Sequence, residues 1–279
     1  MKELLLRLLM HPHPLRATIS KKIIEHFSRP SYVDKLKAGA IERPQYGYCI
    51  FEATRLARLL NYKKISVIEF GCAGGRGLLA AEMHINEIMK LFNVSIELYG
   101  FDTGTGLPAP RDYRDLPYYF QPGSFKMNHN TLREKLKTAE LVFGDVKETC
   151  RTFFEKHGAA PVGCVFHDLD FYSSTRDALT LFDAGAEHFL PRTFIYFDDI
   201  TGDEISLYNE FTGERLAITE FNQQHTTQKI AQNHYLTYKY PGSAWPKDIF
   251  IYHDFLHPKY NDFVADDMRK TIEDWVRLT

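Results

Sequence analysis

Val67-Ile68-Glu69-Phe70-Gly71-Cys72-Ala73-Gly74-Gly75 is an apolar, β-branched and aromatic run that passes directly into a glycine-rich turn. With Ile65 as its start, the run reads as a buried strand ending near Phe70. A helix must follow, because Leu78, Ala81, Ile85, Met89 and Phe92 recur at three- and four-residue steps. Glycine lacks Cβ and takes positive φ, so the turn between strand and helix lets a nucleotide-like ligand approach the backbone.

Working outward, Ile96–Phe101, Glu140–Phe143, Val162–Phe166 and Thr193–Phe197 are further strand-like runs, each ending in polar or acidic residues. Their alternation with helical periodicities predicts an α/β, doubly wound, mostly parallel seven-stranded sheet. Asp145-x-x-Glu148 and Ser174-x-x-Asp177 resemble capping boxes that open the helices after the third and fourth runs, and Gly158 is placed as a helix stop. Past Asp199, a helix-like stretch from Glu204 to Phe221 leads to strand-like His234–Tyr240 and Ile249–His253, a hairpin-like end. Thr103–Asn130 and Asn222–Asn233 do not fit this scaffold; loops of such length are lids or binding loops, or else solvated insertions.

A chain of 279 residues with 44% hydrophobic and 25% charged residues buries an ordinary globular core. Its net charge of −2 argues against nucleic acid as partner. Cys49, Cys72, Cys150 and Cys164 are widely spaced with no C-x-x-C pair, which fits a reduced, cytoplasmic compartment. Met1–Met10 is leucine-rich, but Arg7 interrupts it and Pro12 and Pro14 stop it, so stable membrane insertion is not expected. It reads as a short amphipathic helix that docks on the core or on a second copy, a homo-oligomer contact, with loose membrane-surface contact as the alternative. Residues 1–45 are thus expected as an N-terminal helical extension and 46–279 as the main domain.

Gly75-Arg76-Gly77-Leu78-Leu79-Ala80 formally satisfies the dinucleotide fingerprint, but its first glycine falls well beyond the strand end near Phe70. Glu69-x-Gly71-x-x-x-Gly75 instead resembles motif I of class I S-adenosylmethionine-dependent methyltransferases. Tyr99-Gly100-Phe101-Asp102 then ends the next strand where that superfamily places an acid for the ribose hydroxyls; a carboxylate accepts both bonds of a vicinal diol. Phe143-Gly144-Asp145 lies where the superfamily has an adenine-contacting acid, and Asp145 reads equally well as an N-cap.

Val165-Phe166-His167-Asp168-Leu169-Asp170-Phe171-Tyr172-Ser173-Ser174-Thr175, followed by Phe197-Asp198-Asp199 and preceded by Asp102-Thr103-Gly104-Thr105-Gly106-Leu107-Pro108, resembles the macrocin O-methyltransferase family. The resemblance covers roughly residues 65–200. It implies a Rossmann-like methyltransferase domain over 46–279 that moves a methyl group from S-adenosylmethionine to an acceptor hydroxyl. It also implies Mg2+ or Mn2+ held by Asp168, Asp198 and Asp199. Leu169 stands where the family commonly has glycine, and His167 where an aliphatic residue is usual.

The residues independently support a cation. Acids at the ends of neighbouring strands about 4.8 Å apart converge, and several ionised carboxylates repel unless a metal neutralises them. Oxygen donors without cysteine suit magnesium, manganese or calcium better than zinc. Asp170 and His167 are candidate proton relays, although an isolated histidine, like His225, His234 or His253, is more often an ordinary hydrogen-bonded residue. The acceptor stays open: a saccharide, a glycosylated natural product or a small phenol. Competing readings are a metal-dependent nucleotide-sugar glycosyltransferase, a nicotinamide enzyme, and a non-catalytic cofactor-binding protein of the same fold.

Overall fold

Five runs become the parallel strands β1 (Lys64–Phe70), β2 (Ser95–Asp102), β3 (Glu140–Phe143), β4 (Val162–His167) and β5 (Phe189–Phe197). The computed structural model describes residues 22–24, 26, 30–240 and 243–265; the Met1–Met10 helix and the contact expected of it lie outside them. The sheet runs β3-β2-β1-β4-β5-β7-β6, with β6 at Gln228–Gln232 and β7 at Ile249–Asp254. β7 runs antiparallel to both β5 and β6, and the remaining pairs are parallel. This is the seven-stranded, mostly parallel, doubly wound sheet expected.

Nearly every residue of β1 and β4 is buried, as strands covered on both faces must be. Ile65 and Val67 face one apolar layer with Ile50, Leu78, Ile85 and Phe166. Ile68 and Phe70 face the other, with Phe153, Phe182 and Ile218. The first layer is built by α1 (Tyr32–Lys37), α2 (Pro44–Leu59) and α3 (Arg76–Met89). The second is built by α5 (Val146–His157), α6 (Tyr172–Leu179) and α7 (Gly213–Gln224). Short α4 (His129–Lys135) precedes β3. Glu82 of α3 secures that approach: it accepts hydrogen bonds from the amides of Lys137, Thr138 and Ala139.

Four local expectations are corrected. His234–Tyr240 is no strand: Tyr235–Lys239 forms α8, with Leu236 buried and Tyr235 and Tyr238 exposed. The partner of β7 is Gln228–Gln232, inside the expected Asn222–Asn233 loop. That strand is nearly all polar, with Ile230 its one buried residue, and both side-chain ends of Asn222 pair with the Ile230 backbone. The helix expected from Glu204 starts only at Gly213, because Asp203 folds the chain into a turn by accepting from the amides of Ile205 and Ser206. Finally, Ser174 opens no helix: α6 begins at Tyr172, and its cap comes from a distant acid, Asp115.

Candidate functional site

A cavity of about 370 Å³ lies along the carboxyl ends of the strands. Since β1 leads to β2 on one side and β4 lies on the other, this edge carries the topological switch point where α/β sheets bind ligands. Gly71, Asp102, Asp145, Asp168, Asp170 and Asp198 all line it.

The glycine turn is stitched to both neighbouring strands. The Gly71 amide donates to the Phe101 carbonyl at 2.9 Å, and the Asp168 amide to the Phe70 carbonyl at 3.0 Å. Gly71 has φ 81°, and a Cβ there would lie 1.7 Å from the Asp168 carbonyl oxygen, so no side chain fits. Asp102 Oδ2 accepts from the amides of Cys72 and Ala73, and Oδ1 from Gly104, so the expected ribose acid also braces the turn. Asp145 caps α5 through the Lys147 amide while facing the cavity; both expected roles are available to it.

Gly75 and Glu69 are not in the wall. Gly75 is the N-cap of α3, and Glu69 is buried beneath the turn, where its Oε1 accepts the Tyr46 hydroxyl proton at 2.6 Å. Its Oε2 has no partner among the described residues, and burial pushes its pKa up to about 7.

At the other end, five acids crowd together. Asp198 Oδ1 accepts from the Tyr196 hydroxyl at 2.5 Å. Asp199 is buried outside the cavity wall, with Oδ1 taken by the Tyr208 hydroxyl at 2.8 Å and Oδ2 by the Asp170 amide at 3.1 Å. Fully buried Glu214 accepts from the Asp199 amide at 2.9 Å. Burial, then the charges of Asp198, Asp199 and Asp170, hold Asp168 well above the carboxylate range. Burial, then the charges of Asp199 and Asp198, push Asp170 up to about 8. Among the described residues no three His, Cys, Asp or Glu side chains stand in ready-made metal-ligand geometry.

His167 is a correction. Alternation along β4 turns its ring away from the cavity, into the layer between Phe70 and Phe197, at 5.1 and 4.6 Å between ring centroids. Among the described residues neither ring nitrogen has a partner, so a proton relay through His167 finds no path to the cavity through them.

The Thr103–Asn130 loop forms the outer wall through Thr103, Gly106, Leu107, Pro108, Arg111 and Phe125. It is tied down rather than free. Fully buried Asp115 accepts from the Ser173 amide and hydroxyl and from the Arg111 amide, and Arg111 pairs with Asp177. Leu116 and Phe120 pack on Phe171. The segment expected as a lid or binding loop is latched here to α6 through Asp115 and Arg111. Sequence reading missed Asp115 and Tyr46, whose partners Ser173 and Glu69 lie 58 and 23 residues away, and Tyr208 and Glu214, which return to Asp199 across an irregular segment with no periodic pattern.

No protein-family model matches the chain, and no curated protein matches it in sequence. Solved structures do. The O-methyltransferase NovP aligns over 75% of this chain and 79% of its own at 14% identity, with TM-score 0.51. CalS11, a calicheamicin methyltransferase, aligns over 86% and 91% at 19% identity, with TM-score 0.48. A putative O-methyltransferase from Klebsiella pneumoniae aligns over 85% and 96% at 12% identity, with TM-score 0.44. Among the described residues no helix is long and apolar enough to cross a membrane. The likeness to NovP identifies the sheet as the Rossmann-like fold of methyltransferases.

Proposed function

We propose that the protein is an S-adenosylmethionine-dependent O-methyltransferase of the macrocin O-methyltransferase type. The observation that carries the reading is one continuous cavity with Asp102 and Asp145 at one end and Asp168, Asp170 and Asp198 at the other. Asp102 would accept from the ribose diol and Asp145 from the adenine amine, leaving the sulfonium over β1 and β4. Glu69 and Gly75 would serve the cofactor indirectly, by supporting the turn.

Asp168, Asp198 and Asp199 offer only oxygens, which fits Mg2+ or Mn2+; the Asp199 oxygens, each accepting one hydrogen bond, retain a second lone pair. A divalent cation there would supply Lewis acidity toward the acceptor hydroxyl. The chain itself does the rest. Asp170, in the cavity wall, would take the hydroxyl proton on its carboxylate, and the walls would hold oxygen, methyl carbon and sulfur in line. The cofactor already carries the activated methyl, so orientation is the main contribution. Phe125, exposed in the cavity wall, and exposed Tyr113 and Tyr118 of the same outer-wall loop suit a small-molecule or saccharide acceptor whose ring can stack.

The test is calorimetric titration with S-adenosylhomocysteine, NAD and a UDP-sugar, followed by turnover of candidate hydroxyl acceptors in EDTA and in added magnesium. Selective binding of S-adenosylhomocysteine and magnesium-dependent turnover are expected. Binding of NAD or the UDP-sugar instead would reject the reading, and full turnover by verified metal-free protein would reject its metal part.

A further inference from the structure

A cofactor laid along this edge meets the strands in the order β3, β2, β1, β4. With adenine at Asp145 and ribose at Asp102, its amino-acid end must pass Gly71 toward Asp168 and Asp198. That end carries a carboxylate, yet the cavity wall there is acidic. An anion entering such a site needs a cation beside it.

Arg43 is placed to be that cation. It is the residue before α2, held at φ 43°, a left-handed conformation that a non-glycine residue adopts at some cost. Its guanidinium lies 5.0 Å from the centre of the Tyr46 ring, and that ring is itself fixed twice: its hydroxyl binds Glu69, and it stacks on Phe166 at 3.8 Å. Among the described residues no carboxylate comes within ion-pair distance of Arg43, and its side chain donates no hydrogen bond to them. Arg43 adjoins the cavity wall through Tyr46, whose ring centre lies 5.9 Å from that of Tyr196, the residue whose hydroxyl binds Asp198; against the cost of burial, Tyr46, Glu69 beneath the turn, and Asp168 and Asp198 in the wall keep it charged. A half-buried guanidinium, pre-oriented by an aromatic face and with donors to spare, suits bidentate capture of a carboxylate.

We propose that Arg43 binds the α-carboxylate of S-adenosylmethionine, making the segment ahead of α2 part of the cofactor site. This rests on the cofactor reading above, and the ligand can be varied to separate the two. S-adenosylhomocysteine carries the carboxylate; 5′-methylthioadenosine keeps adenine, ribose and sulfur but lacks the amino-acid end.

The experiment titrates both ligands into wild-type protein, Arg43→Met and Arg43→Lys by calorimetry, in EDTA and again with magnesium, with the unliganded melting temperature of each variant measured alongside. Arg43→Met is expected to lose about 10- to 100-fold in affinity for S-adenosylhomocysteine, the scale of a charge-assisted pair. Its affinity for 5′-methylthioadenosine should stay within about twofold of wild type, and Arg43→Lys should fall between. Equal loss for both ligands would overturn the inference, since it would make Arg43 a structural residue only. Unchanged affinity for S-adenosylhomocysteine would also overturn it, even if acceptor KM rose. Failure of wild type to bind either ligand would sink the cofactor reading and this inference with it.

Discussion

His167 offers a perturbation whose size follows from its surroundings. It is fully buried, stacked against Phe197 and tilted against Phe70, with both nitrogens unpaired among the described residues, and burial pulls its pKa down to about 3. The unfolded chain has a histidine near its ordinary 6.5. Because the folded value is the lower one, the unfolded state takes up the proton first. The contribution of neutral His167 is full above pH 6.5 and is lost as pH falls toward 3. With those two values, linkage gives a loss of about 2 kcal/mol at pH 5 relative to pH 8. His167→Phe removes the titration and keeps the aromatic stack. At pH 8, replacing two unpaired nitrogens by carbon should add roughly 1–3 kcal/mol, less about 1 kcal/mol if the larger ring fits imperfectly. Urea unfolding of both proteins at pH 8 and pH 5 measures this. The variant should be more stable at both, with the gap wider by about 2 kcal/mol at pH 5. A gap that does not change with pH, or a variant less stable at pH 8, would refute the reasoning.

Other perturbations separate structural from ligand-facing jobs. Glu82→Ala strands three amides before β3 and should cost about 2–4 kcal/mol in chemical unfolding; a loss below about 0.5 kcal/mol would mean water replaces the carboxylate. Asp115→Ala releases the wall from α6, so trypsin should cut at Arg111 or Arg114 several-fold faster than in wild type, and unchanged cleavage would remove the latch from the account. Asp102→Ala should lower the melting temperature without ligand as well as weakening S-adenosylhomocysteine binding, because its oxygens hold the glycine turn. A purely ligand-facing Asp102 would leave the unliganded melt untouched.

The parallel sheet was legible because the central strands β1, β4 and β5 are buried on both faces and read as apolar runs, and because outer β3, with only Val142 buried, still carries the apolar run Leu141-Val142-Phe143. β6 was not, since an outer strand with a single buried residue has almost no apolar pattern. α8 misled for the opposite reason: Tyr235, Leu236, Tyr238 and Tyr240 suit a strand by composition, and only burial of Leu236 beside α2 makes the segment helical. In the site, Gly71, Asp102, Asp145, Asp168, Asp170 and Asp198 could be placed at the cavity because strand ends and turns are local features. His167 could not, because its direction depends on whether alternation continues to the last residue of β4. Tyr46 and Asp115 carried no local signal at all, since they bind Glu69 and Ser173, 23 and 58 residues further on, and Arg43 feels acids at the ends of β1, β4 and β5 that sequence spacing does not connect to it.

The central claim is that the acidic cavity is a cofactor site with a defined polarity along the strand ends. A crystal structure of the protein with S-adenosylhomocysteine tests it most directly. The account predicts ribose hydroxyls within hydrogen-bond distance of Asp102, adenine beside Asp145, and the amino-acid end over β1 and β4 facing Asp168. Density for the ligand in the reverse direction, or anywhere other than this cavity, would contradict it.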